Sequence, residues 1–537
     1  MNRAADPRAD VDLWGDDDRT VARVAHNVST RYLAYIIDAA LGLVMLPFNL
    51  AHLGMAAYGL WALTTSITVY FSMLDLGYGG ALVRFVAQYR ARRDARALNE
   101  VLGTLSVVYS MIAAVTYAAV AVIAFNLDTI SRLTPAEAAT SRMLLLIVGL
   151  HVALRFVFGI YGGVIVGFQR YHLNNLTSIA TSLIVAAVNV AVLLAGYGVV
   201  ELVAATTSVR LLALVVYRMN AYRVFPALNV NWRQFRAERL REISGFSVFM
   251  LLLDGAYKVN YSTDVLVIAT LIGAPAVALW APAQRLCEVT LRLSNQVSEA
   301  LFPIVVDSDA SQRAARLQSI LVHGTRLSLA SVLPIAGGVV LLAHPLLAAW
   351  VGRSMGPSFA ETATIVQILA AVVIIRVGSS TASVVLKGAG LHRTLTALIS
   401  AMAIANLALS IALIRPLGLM GVAVGTLVPV AAFSLFGLVP LAARRVNISL
   451  VHLFRHGVWP ALWPAVIAAS VLFVTRNQLP ARLSAVALQL VLGGAVYLSM
   501  FLLAVGSDGR REYRRHADGL LKRSSQQMSP VGTANAS

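Results

Sequence analysis

The chain has 537 residues, 58% hydrophobic and 13% charged, with a mean hydropathy of +0.75 and a formal net charge of +18. These proportions exclude a water-soluble domain of this length and describe a chain whose solvent is mostly lipid. Its single cysteine, Cys287, excludes a disulfide framework and a cysteine-based metal site.

Residues 1–31 form a polar tail with an acidic cluster at Asp6, Asp10, Asp12, Asp16, Asp17 and Asp18. It contains no short apolar core ahead of a small-residue cleavage site, so the first span is expected to act as its own address. A span needs roughly 20 apolar residues, and about 14 such segments follow, near 32–53, 56–76, 101–126, 143–167, 176–195, 199–217, 244–270, 274–304, 321–350, 362–386, 394–414, 418–441, 458–475 and 482–505. They imply an N-lobe over 32–217, a basic linker over 218–243, a C-lobe over 244–441, two further spans over 442–505 and a polar tail over 506–537. With the N-terminus inside, the inner segments carry 30 of the 43 Lys and Arg and the outer loops six. That bias predicts cytoplasmic termini and accounts for the net charge without nucleic acid.

Two halves of the chain resemble each other. "LGMAAYGLWA" at 53–62 matches "IGAPAVALWA" at 272–281, and the same offset pairs Ala81 and Leu82 with Ala300 and Leu301. Farther along, Arg155 pairs with Arg376, Gly167 with Gly388, and Gly196 with Gly418. The shared order predicts an all-α polytopic protein of two six-helix bundles plus two C-terminal helices.

Ionised groups inside a bilayer are costly and normally face protein or a wet cavity. Arg285, Glu288, Arg292, Gln296 and Glu299 share one face of the eighth span. Asp254 and Lys258 form an i, i+4 pair in the seventh, and Arg31, Asp38 and Asn49 share a face of the first. These faces, with Arg155 and Arg376, are expected to surround a cavity between the lobes. Salt bridges that fix helix register are the competing reading for Asp254 with Lys258 and for Arg285 with Glu288. Arg210 and Arg326 lie near span ends and are expected to snorkel to the interface. "DSD" at 307–309 resembles a metal-binding motif but has no domain around it, and Asn27, Asn175 and Asn447 head glycosylation-like triplets on the wrong side or at span edges.

"GLWAL" at 59–63 followed by "YFSMLDLGYGGALVRFVAQYRARRD" at 70–94 resembles the first helical hairpin of the oligosaccharide flippase family of bacterial polysaccharide biosynthesis proteins. That family belongs to the multidrug/oligosaccharidyl-lipid/polysaccharide exporter superfamily. The resemblance implies two bundles in a V, a cavity between them, and alternating access that carries a lipid-linked sugar headgroup outward. Two added helices are typical of the lipid II branch, where they help form a groove for the lipid tail.

The expectation is a non-enzymatic flippase of the cytoplasmic membrane for a polyprenyl-diphosphate-linked oligosaccharide. Arg155, Arg285, Arg292, Arg376 and Lys258 are the candidates for substrate contact, because guanidinium groups present a planar fork to phosphate and carboxylate oxygens. Asp38, Asp254 and Asp264 are candidates for coupling to Na⁺ or H⁺, with no other cofactor or metal. Asp75, Gly77, Gly79, Gly80 and Arg84 are read as a hinge or gate where the second span meets the inner face, the glycines permitting a bend and the arginines anchoring its end. Membrane lipids, a polysaccharide polymerase and glycosyltransferases are the expected partners. A lipid II flippase, a cation or drug antiporter, and a non-transporting scaffold of envelope synthesis are the alternatives.

Overall fold

A computed structural model of the protein describes residues 20–71, 75, 78–127, 134–243, 263–310, 313–478 and 480–505. Every regular element among them is helical, as lipid demands of a backbone that must pair its own polar groups. The first half holds α1 (Thr20–Phe71), α2 (Tyr78–Ala91), α3 (Ala95–Phe125), α4 (Pro135–Gly167), α5 (Tyr171–Leu194) and α6 (Val199–Val224). The second holds a helical segment at 263–271, then α7 (Ala274–Ala310), α8 (Ala314–Trp350), α9 (Phe359–Gly388) and α10 (His392–Ala432). From α10 the chain runs through a π-helical turn at Phe433–Leu438 to Arg445, and α11 (Trp459–Thr475) and α12 (Leu483–Ala504) pack on α8.

Ten helical stretches among the described residues are long and apolar enough to cross a membrane. Two of them, Ser29–Thr68 and His392–Arg445, each contain two predicted spans, divided at Gly54 and Gly418. The ten therefore account for twelve predicted spans. Of the other two, 244–270 lies mostly outside the described residues, and 274–304 is α7, whose charged face sets it apart from the apolar ten. The protein is an all-α multi-pass membrane protein built from two related bundles.

The backbone carries the repeat as clearly as the sequence. Gly54 and Gly273, partners in the repeat, have φ of 75° and 130° and turn the chain between consecutive helices, a conformation few other residues adopt. The positive φ of Gln169 and Gly390, and of Gly196 and Gly418, falls at corresponding positions too. A Cβ on Gly167 would lie 2.4 Å from Val86 Cγ1, and one on Gly388 would lie 2.4 Å from Val305 Cγ1, so the same close helix contact occurs once per lobe.

The lobes meet at the face opposite the basic loops. Trp350 Nε1 donates to Leu43 O at 2.8 Å, and Ser354 donates to Pro47 O at 3.4 Å. Gly59 lets α1 pass against the start of α7, where any Cβ would strike Ala274 O. Tyr70 of α1 also donates to the Thr263 hydroxyl at 2.8 Å.

Candidate functional site

Below these contacts the polar face of α7 meets α1 in a cleft of about 380 Å³. Arg285 lies over Gly42, where a side chain would occupy the guanidinium's place. Its Nη2 donates to Asp38 O at 2.6 Å and lies 3.6 Å from Asp38 Oδ2. Arg292 Nη1 is also 3.6 Å from that carboxylate oxygen. Glu288 lies 3.8 Å from Arg285 Nη1 and accepts Gln284 Nε2 at 3.1 Å. One carboxylate from the N-lobe thus faces two guanidinium groups from the C-lobe. Asp38 and Arg292 are half exposed, at 50% and 56%, so protein does not seal the pair, and an anion reaching it meets two cations.

A second cavity, of about 770 Å³, lies within the N-lobe between α1, α2, α4 and α6. His151 and Arg155 of α4 and Arg210 of α6 line it, and the charges of both arginines reach His151. Arg210 also lines the central cleft, together with Trp61, Thr65 and Thr206. The two spaces therefore adjoin, with these four residues as their common border. The expectation that Arg210 would snorkel is corrected, because its helix is packed so that the side chain turns into the bundle.

In the C-lobe, Asp264 accepts the Thr426 hydroxyl at 3.2 Å. Asn406 Oδ1 lies 3.3 Å from that hydroxyl and accepts Ser410 at 3.1 Å. Gly421 and Gly425 make this cluster possible, since Cβ atoms there would overlap Leu413 O and the Ser410 backbone across the α10 kink. Arg376 neighbours Asp264 and Cys287, and its Nε is buried. Arg155 and Arg376 match in the repeat but have different surroundings, one bordering the N-lobe chamber and the other lying beside an acid.

The stretch around Asp75 lies deeper than expected. Arg90 Nη1 donates to Gly167 O at 3.2 Å, marking the basic face, while Tyr78 is 6.4 Å from Tyr109, which stacks on Phe156. From Gly167 to Phe156 is ~16 Å at 1.5 Å per residue. The start of α2 at Tyr78 thus falls within the bundle, and α2 carries the chain on from there, with Leu82, Phe85 and Val86 buried. Polar and glycine residues end a hydropathy window, which is why the predicted span stops short of α2. Asp75 Oδ2 accepts the Gly79 N–H at 3.0 Å, which holds the start of α2, and a Cβ on Gly80 would meet nothing within 4 Å. Arg84 is exposed and lies near the Phe85 ring. Gly77, Asp254 and Lys258 lie outside the described residues.

Other polar signals prove to fasten helices together. Arg326 donates from Nε and Nη2 to His456 O at 3.0 and 2.7 Å, tying α8 to the turn before α11, which corrects the snorkelling expectation. In "DSD", Asp309 pairs with Arg445 at 2.7 Å and Asp307 with Arg316 at 3.5 Å. Asn27 accepts the His172 N–H at 2.9 Å and donates to Gln169 O at 2.8 Å, while Asn175 donates to Asn27 O at 3.3 Å. The residues that sequence reasoning missed are His151, Asn406, Ser410 and Thr426. The four-residue spacing from Asn406 to Ser410 was the available signal.

Residues 24–309, just over half of the chain, match the family described as polysaccharide biosynthesis protein. The chain belongs to that family. Among the relatives of this polysaccharide biosynthesis protein, the uncharacterized membrane protein EpsK of Bacillus subtilis (strain 168) is 23% identical over 83% of this chain and 88% of its own. The probable flippase AglR of Haloferax volcanii is 22% identical over 92% of this chain and 98% of its own. The fold is similar to that of the lipid II flippase MurJ in an inward closed conformation, with a TM-score of 0.70 at 14% identity over 89% of this chain and 98% of the other. An inward-facing multidrug resistance MATE family transporter of the MOP superfamily gives 0.61 at 14% identity over 77% and 94%.

Proposed function

We propose that this protein is a flippase that carries a polyprenyl-diphosphate-linked oligosaccharide across the cytoplasmic membrane by alternating access of its two lobes. The observation that carries the reading is the pair Arg285 and Arg292 facing Asp38 across the cleft. Membership of a polysaccharide biosynthesis family and similarity to a probable flippase support it. A diphosphate brings more negative charge than one carboxylate and would take its place between the two guanidinium groups. Displacing Asp38 would release a contact that joins the lobes, which couples binding to their movement. Arg155, Arg376 and Lys258 remain candidate substrate contacts, and Asp75, Gly77, Gly79, Gly80 and Arg84 a candidate hinge.

An apolar groove of about 600 Å³ between α8 and α12, lined by Leu327, Pro334, Tyr497 and Phe501, suits a polyprenyl tail. The groove, with helices α11 and α12, also favours lipid II as a second reading of the substrate. The excess of Lys and Arg in alternate loops supports cytoplasmic termini. Polymerases and glycosyltransferases that make or consume the lipid-linked sugar are the proposed partners.

Asp264, Asn406 and Thr426 offer converging oxygen donors, so this cluster rather than Asp38 is the better candidate for Na⁺ or H⁺ coupling. Asp254 stays a candidate as well. In liposomes with a fluorescent polyprenyl-diphosphate oligosaccharide, Arg285→Gln with Arg292→Gln should slow flipping about 100-fold, the scale of two lost charge-assisted hydrogen bonds. Wild-type rates in that variant would refute the site. Asp264→Asn should abolish the dependence of flipping on an imposed Na⁺ or H⁺ gradient, and unchanged gradient dependence would refute the coupling role.

A further inference from the structure

We infer that the N-lobe chamber is a subsite for an acidic sugar, one whose carboxylate is held between Arg155 and Arg210. This rests on the flippase reading and specifies which headgroup the cleft serves. The chamber's volume of about 770 Å³ lies in the range of small-molecule sites, about 300–1,000 Å³. Arg155 and Arg210 are exposed to it, and among the described residues neither has a hydrogen-bond or ion-pair partner. Arg210 feels the charge of Asp38 in the adjoining cleft, while Arg155 and Arg210 repel one another, so the chamber keeps an excess of positive charge that attracts an anion. Asp75, the one acid among the described lining residues, already accepts the Gly79 N–H.

The rest of the lining suits a sugar. Asn174, Thr206 and Thr207 supply hydrogen-bonding groups, and Trp61 supplies an apolar face. Because Trp61, Thr65, Thr206 and Arg210 border both spaces, the chamber adjoins the cleft, so a headgroup with its diphosphate at Arg285 and Arg292 has its sugars beside the chamber. Carboxylate fits here better than a second phosphate, since the diphosphate is already accommodated at the cleft and a guanidinium fork matches a carboxylate in two parallel hydrogen bonds. At the repeat position the described residues are packed instead: Ser298, the partner of Gly79, is buried and lies 3.0 Å from the Ser328 hydroxyl.

The test measures binding of three probes to the purified full chain: a polyprenyl-diphosphate disaccharide ending in glucuronic acid, its glucose counterpart, and a free glucuronosyl disaccharide. Wild type should prefer the acidic lipid roughly tenfold, the scale of one charge-assisted hydrogen bond. The acidic-to-neutral ratio should fall to about one in Arg155→Gln with Arg210→Gln. It should fall likewise in Gly159→Phe, which fills the chamber with both arginines intact; a Cβ at Gly159 meets nothing within 4 Å. Taking the ratio within each variant cancels any loss of folded protein. A wild-type ratio near one, or a ratio unchanged in both variants, overturns the subsite. If wild type binds neither lipid yet binds the free disaccharide, and loses it in Arg155→Gln with Arg210→Gln, the subsite stands and the lipid-linked reading falls.

Discussion

In the N-lobe, Gly79 and Arg155 border an open chamber, whereas their repeat partners Ser298 and Arg376 lie among packed hydroxyls and beside Asp264. Asp75 lines the chamber, while its partner Ser294 is buried. Close helix contacts are nonetheless preserved, at Gly167 with Val86 and at Gly388 with Val305. One skeleton therefore supports two interiors. The C-lobe core runs continuously from Val277 through Leu321 to Val366 and Val430, while the N-lobe core is divided around its cavity. A cavity forgoes packing energy in proportion to its size, so a hollow retained in the N-lobe, at positions whose described repeat partners are packed, is where a ligand is expected.

The comparison can be broken most sharply at two glycines. Gly425→Leu drives a side chain into the Ser410 backbone, where a Cβ would already be 2.7 Å from its Cα. Overpacking of this kind costs about 1–3 kcal/mol and more where backbone must move, so a large fall in Tm, or failure to accumulate in the membrane, is expected. Gly159→Leu in the hollow lobe should leave Tm nearly unchanged. Equal losses in the two variants, measured by thermal unfolding in detergent, would mean that the lobes are filled alike.

A smaller effect tests what the lobes share. Gly167→Val and Gly388→Val meet the same valine contact at 2.4 Å and should each lower stability by about 1–3 kcal/mol, in equal measure. A clear inequality would show that the matched geometry hides different freedom to relax. Smallest is Arg326→Ala, which removes two hydrogen bonds from the junction of α8 with the turn before α11 and should cost about 1–2 kcal/mol. The N-lobe lacks helices α11 and α12, so protease nicking in that variant should increase near His456 and not in α3 or α4.

Much of the architecture was readable in advance because bilayer thickness and hydropathy constrain it directly. Both glycine turns at Gly54 and Gly273, and the pairing of Arg155 with Arg376, follow from a repeat visible in the residues themselves. The candidate site was readable only in part. Periodicity placed Arg285 and Arg292 on one face of α7, but it could not say that Asp38 would meet both, since that contact joins helices 247 residues apart. Arg210 looked like a headgroup anchor by its position in the span, and only the packing of α6 turned it into the chamber.

The sequence by itself determined the spans, the uneven distribution of basic loops and the duplication, because each is set by local composition or by shared ancestry of two segments. Tertiary structure decided that Tyr78, close to Asp75, begins a helix inside the N-lobe, that Asp264 meets Thr426 across the bundle, and that the N-lobe encloses a chamber. Those outcomes depend on which helix faces fill or fail to fill one another. A single chain's periodicity shows that a face is polar, and only the neighbour packed against it settles whether that face is paired, filled or left open.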